Sequence, residues 1–134
     1  MVQDIPAHLA IGINQRVLTH LKDRFAHGDI ADVLFDAVDP LGDVQTFCPD
    51  SASYRYVIAS TKNIVFGFAV GISIVAFRLD KRMKDRALIT GAANYPECGD
   101  DWVAVIHDRE DSDWPAVDVR FWARKAYIYA RSMS

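Results

Sequence analysis

Four histidines, two cysteines and a block of carboxylates are the side chains in this 134-residue chain with the chemistry of ligands, bases or nucleophiles. They are densest in the segment that opens at His107, where His-Asp-Arg-Glu-Asp-Ser-Asp runs to Asp113 directly after the apolar stretch Trp102–Ile106. Side chains at strand ends commonly line sites. His107 with Asp108 or Asp111, joined by Arg78, is therefore the candidate set for acid–base chemistry in a small pocket. Acidic or hydroxyl side chains alternate at 108, 110 and 112 as in a calcium loop, but the sixth position is not Gly and Val119 stands where the bidentate Glu belongs. The simpler reading is a solvated acidic loop that complements the positive N-terminus of a following helix. A weak metal site completed by Asp100 or Asp101 is the alternative.

The remaining reactive side chains form no pattern of this kind. His20 and His27 are seven residues apart, too far along a helix to bind one metal, which uses pairs three or four apart. His8, His20 and His27 read as surface or boundary residues. Cys48 and Cys98 each lie in a proline-containing loop and have no further Cys or His at zinc-site spacing. They read as two ordinary reduced thiols, the expectation for a cytoplasmic protein. No G-x-G-x-x-G, no G-x-x-x-x-G-K-[ST] and no G-x-S-x-G occurs, so the common nucleotide-dependent folds and the serine-hydrolase elbow are set aside. No metal site and no cofactor is expected.

Aromatic residues carry the binding signal. Tyr95, Trp102 and Trp114 fall in or beside the loops around 102–106, and Arg124 follows on the last helix. Exposed Trp and Tyr next to arginine have the composition of interaction hot spots. The competing reading makes Trp102 a core residue and Trp114 a hydrophobic staple ahead of the last helix.

The elements that must position these residues follow from periodicity. Asp4 and Pro6 open a helix whose Leu9, Ile13, Val17, Leu21 and Phe25 recur every four residues until Gly28 stops it. Ile30, Val33, Leu34, Ala37 and Val38 then form the stripe of a second helix, with Asp32, Asp36 and Asp39 on its other side. Residues 44–47 fit a short edge strand. Alternation over 54–60, the tight turn 61–63 and the apolar runs 64–69 and 72–79 predict an antiparallel three-strand meander. In the second of these strands Ile64, Phe66 and Phe68 are expected on one face. A basic helical connection (80–88), a loop (90–101), a fourth strand (102–106) and a helix starting at Asp113 or Trp114 complete the chain. Its apolar stripe is Val119, Trp122, Ala123, Ala126, Tyr127 and Ala130. Helices and strands are segregated, so the fold class is α+β. It comprises two N-terminal helices, a mostly antiparallel four-stranded sheet (three-strand meander plus one) and a C-terminal helix packed on the sheet.

Composition bounds the rest. At 51% hydrophobic and 25% charged, with mean hydropathy +0.01, the chain suits one domain over residues 1–134 and is not disordered. The apolar run 64–77 is shorter than the roughly 20 residues of a membrane helix and rich in β-branched and aromatic residues, so it reads as sheet core. No signal peptide is legible before Asn14. A pI near 5.7 argues against nucleic acid as a partner. The formal net charge of -3 hides an acidic stretch at 100–113 beside a basic C-terminal helix. The expectation is a small soluble, non-catalytic binding or regulatory protein of the cytoplasm that engages a protein partner, with Tyr95, Trp102, Trp114 and Arg124 as its contacts. A homodimer through a bare sheet edge or face is a second form of the same idea. The alternative is a small enzyme or ligand-binding domain with its pocket near His107 at the end of strand 102–106.

Overall fold

The structure, a computed structural model, describes residues 5–22, 24–49, 55–106 and 116–133. Among these residues the chain is α+β. After a 3-10 turn at Gly12–Asn14 come α1 (Gln15–Leu21), α2 (Gly28–Val38), β1 (Gln45–Phe47), β2 (Val57–Thr61), β3 (Ile64–Val70) and β4 (Ile74–Arg78). They are followed by α3 (Lys81–Ile89), β5 (Ala93–Asn94), β6 (Trp102–Ile106) and α4 (Ala116–Ser132). The strands form one antiparallel sheet in the order β1-β2-β3-β4-β6-β5.

The sheet has six strands where four were expected. The meander and the 102–106 strand are its centre, and the short β1 fits the edge strand anticipated at 44–47. β5 was read as loop because two residues between Gly91 and Pro96 carry no periodicity. Ala93 and Asn94 join the sheet only through pairing with Ala104 and Val103. Both edges are closed by very short strands, a common way to limit edge-to-edge pairing.

The N-terminal helix is shorter than its four-residue spacing implied. Asn14, fully buried, donates from Nδ2 to Leu9 O and Asn63 O, 2.8 Å each, and accepts the Val65 N–H at 3.0 Å. These bonds hold the chain in turns before α1, which starts only at Gln15. Downstream, Phe25 bridges to Arg55 and Ala26 to Gly71, so this stretch is extended along the sheet. Tertiary pairing overrides helical propensity at both ends. Leu9, Val17 and Leu21 are buried as their spacing predicted, while Ile13 and Phe25 are exposed.

A bulge alters the facing of β3. Ala59 pairs with Gly67 but Ser60 pairs with Val65, which leaves Phe66 as the extra residue. Ile64 and Phe66 therefore pack toward α2 and α4, whereas Phe68 and Val70 pack toward α1. Period-two reading had put Ile64, Phe66 and Phe68 on one face, and one inserted residue reverses that alternation. Gly67 lies at the crowded point: a Cβ there would stand 3.1 Å from Phe77 Cδ1 and 3.3 Å from Ala76 O.

Three layers result. One face of the sheet is covered by α2 and α4, whose Val119, Trp122, Ala123, Ala126 and Ala130 are buried as expected. The other is covered by α1 and the 95–99 loop. Side chains cap two of the helices. His27 Nδ1 accepts the Asp29 N–H at 3.1 Å to start α2, and Asp80 Oδ1 accepts the Met83 N–H at 2.8 Å to start α3. Lys62 and Asn63, both at positive φ, make the two-residue β2–β3 turn. No helix among the described residues is long and apolar enough to cross a membrane.

Candidate functional site

His107, Asp108, Asp111 and Trp114 lie outside the described residues. Arg78, expected beside them, is at the other end of β4: Ile74 pairs with Ile106, while Arg78 pairs with Trp102. Four residue steps along the strand separate the two ends by about 13 Å. The Arg78 guanidinium is buried, donates to Ile13 O at 3.1 Å and stands 4.0 Å from Asp101. Its Cζ lies 5.1 Å from the centre of the Trp102 ring. Burial pulls its pKa down and Asp101 opposes that. A guanidinium still stays charged. Arg78 thus ties the N-terminal turns and the 101 loop to the sheet.

Tyr95 and Trp102 come together on the α1 side, Trp102 as core and Tyr95 half-buried against it. Trp102 is wholly buried, not in a loop position, because it opens β6 and faces inward. Its ring centre lies 5.2 Å from that of Phe68, which lies 5.7 Å from Tyr95. The Tyr95 hydroxyl and His20 Nε2 share a 2.7 Å hydrogen bond. Burial lowers the His20 pKa, with Arg24 adding to it, and pushes the Tyr95 phenol up to about 12. The Cys98 thiol, buried in the same layer, is pushed up to about 12 by burial and by Glu97. At neutral pH this cluster holds a neutral phenol and a neutral thiol, which suits packing rather than nucleophilic chemistry. Cys48 packs at the margin of the opposite layer, and neither cysteine forms a disulfide. Among the described residues no group of three His, Cys, Asp or Glu side chains is placed to hold a metal ion.

Arg124 belongs to the other side of the molecule, on the outer face of α4. There α2 and α4 lie side by side and run the same way. His27, which caps α2, donates its N–H to Gly71 O at one end of the sheet. At the other end Tyr127 OH donates to Gly42 O at 2.6 Å and Arg131 Nη1 donates to Asp43 Oδ2 at 3.2 Å. These bonds fasten the second half of α4 to the turn after α2. Arg120 and Arg124, one to two turns earlier, form no ion pair among the described residues. They line a groove of about 530 Å³ together with Pro40, Leu41, Phe121 and Tyr127. Phe121 also lines a second groove, of about 410 Å³, with Arg86, Ile89, Thr90 and Trp122. Lys125 Nζ lies 5.4 Å from the Phe121 ring centre.

This outer surface is chemically uneven. Phe121 is 41% exposed, Ile128 49% and Phe35 of α2 38%. Asp32, Asp36 and Asp39 are exposed on α2, which has no basic residue in its last turn. Of the residues expected to bind, the three that are described do not converge: Tyr95 and Trp102 support one layer and Arg124 faces solvent from another. Sequence reading overlooked Leu41, Arg120, Phe121 and Ile128. Phe121 and Ile128 were legible as large apolar residues seven apart and off the buried stripe of α4. Leu41 was not, because only the packing of the two helices brings the post-α2 turn beside Arg120. Among known proteins no match is found, whether to a family model, a curated protein or a solved structure.

Proposed function

We propose that this protein is a non-catalytic protein-interaction domain of the cytoplasm and that it receives its partner on the outer α2–α4 face. The observation that carries this reading is the pair Arg120 and Arg124, without an ion pair among the described residues, beside the exposed Phe121 and the half-buried Tyr127 in one groove. Arginine next to an aromatic, in a concavity with an apolar floor, is the composition of hot spots. A guanidinium fork recognises a carboxylate in a plane, and the apolar floor takes an aliphatic or aromatic anchor. The fitting partner is an acidic protein segment with apolar anchors. Two thiols held apart in different layers support a reducing compartment.

The test uses a fluorescein-labelled peptide in which Glu alternates with Leu and Phe, followed by anisotropy. Binding is expected to the wild type at low salt, to weaken about tenfold or more in Arg120→Glu/Arg124→Glu, and to persist in Lys22→Glu/Arg24→Glu, a matched charge change on the α1 side. Equal loss in both variants, or no binding to the wild type, would overturn the reading.

A further inference from the structure

We infer that the occupant of this face is a second copy of the chain, docked so that α2 of each copy lies over α4 of the other. The inference rests on the reading of the α2–α4 face as a docking surface. Its motive is a mismatch within α2. The C-terminal end of a helix carries partial negative charge and favours cations, yet the last turns of α2 present Asp32, Asp36 and the capping Asp39, with no basic residue. Asp36 and Asp39 are exposed, and neither has an ion pair among the described residues. The cations that would suit them stand on the neighbouring helix, where Arg120 and Arg124 are also exposed and likewise form no such pair. Acid and base occupy parallel rows on one surface.

Such a surface complements itself. A two-fold axis along the groove between α2 and α4, in the plane of contact, exchanges the two rows while keeping each residue at its level along the helices. Ala37 and Pro40 line the same groove as Arg120 and Arg124, so Asp36 and Asp39 are level with these arginines. In the pair of copies each acidic row then meets a basic row, twice. Phe35, Phe121 and Ile128 are the exposed large apolar residues that the same two helices add to this surface.

Size sets the strength. Helices of 11 and 17 residues are about 16 and 25 Å long and pack about 10 Å apart. The face they form covers on the order of 500 Å² per copy, or about 1,000 Å² in total, the lower end of specific interfaces. The dimer is accordingly weak, in rapid exchange and sensitive to salt, because exposed charges carry its specificity.

Charge exchange tests it on the full chain by sedimentation velocity over a concentration series at low salt. The wild type is expected to self-associate and to lose most of this at high salt. Arg120→Glu/Arg124→Glu and Asp36→Arg/Asp39→Arg are each expected to be monomeric, and their equimolar mixture to associate again, since every facing pair regains opposite charge. A monomeric wild type, self-association that either variant retains, or a mixture that stays monomeric overturns the inference. Anisotropy with the acidic peptide separates the two readings: a monomeric wild type that binds the peptide refutes self-association alone, and one that does not refutes the docking face as well.

Discussion

Asn14→Ala removes a fully buried polar side chain that pins three stretches of backbone. Its amide makes three hydrogen bonds of 2.8 to 3.0 Å, joining the N-terminal turns to the β2–β3 turn and to β3. A buried hydrogen bond contributes about 1 kcal/mol net, and an orphaned buried partner costs about 1 to 3 kcal/mol. Alanine strands Leu9 O, Asn63 O and the Val65 N–H together, and some of this is recovered by water near the partly buried Asn63 carbonyl. The expected loss is about 3 to 4 kcal/mol, a large part of the 5 to 15 kcal/mol that holds a domain of this kind, or about 10 to 15 °C in Tm. Asn14→Asp refines the argument. Its carboxylate still accepts from Val65 but turns an acceptor toward two carbonyls, so at neutral pH it is expected to cost at least as much as alanine. Protonation restores one donor. The native carboxyl then binds its proton more tightly than the unfolded chain, and Asn14→Asp gains on Asn14→Ala as pH falls. Urea unfolding of both variants at neutral pH and near pH 4.5 reads this out. A loss below about 1 kcal/mol for alanine, or an Asp–Ala difference that ignores pH, would refute the assignment of Asn14 as the pin of the N-terminal layer.

Other predictions follow from single side chains. Gly67→Val is expected to destabilise by more than about 2 kcal/mol in urea unfolding and Gly67→Ala by about 1 kcal/mol, since the first Cβ already meets Phe77 and the Ala76 carbonyl at 3.1 to 3.3 Å. Asp39→Lys is expected to stabilise the monomer at low salt by about 0.3 to 1 kcal/mol, because it replaces an anion at a helix C-terminus; a loss of Tm contradicts this. His20 is held below its usual 6.5 by burial and Arg24. The native ring resists a proton that the unfolded chain accepts, so its contribution to stability is whole above pH 6.5 and drains away as pH falls below it. The Tm difference between wild type and His20→Gln, followed from neutral pH to about pH 5, is expected to shift against the wild type. Cys98, buried with its thiol pushed up to about 12, is expected to resist alkylation of the native protein, while half-buried Cys48 reacts first; peptide mapping after brief labelling distinguishes them.

Much of the architecture was legible because it rests on local pattern. The stripes of α2 and α4, the helical connection after residue 80 and the Lys62–Asn63 turn all obey short-range rules, and each stands where those rules put it. The misreadings occur where distant chain decides. The four-residue apolar spacing from Leu9 to Phe25 is helical by itself, but Asn14 bonds chain about 50 residues away and Phe25 bridges to Arg55. The Phe66 bulge leaves no trace in a run where every residue is apolar. Trp102 fitted either a contact residue beside the loops or a core residue, and register with Arg78 puts it inside. For the site, Arg124 and the charge of α4 were visible, and so were the aspartates on the far side of α2. Their adjacency was not, since it arises only when two helices more than 80 residues apart pack on one sheet face.

The outer α2–α4 face is where we propose that this protein meets a protein partner. Titration of the labelled chain with the acidic peptide, followed residue by residue in the amide NMR spectrum, tests it most directly. The predicted result is a set of shifts confined to 36–42 and 120–128, with α1 and the 95–99 loop unmoved. Shifts centred on α1 and Tyr95, or a spectrum that does not change, would contradict it.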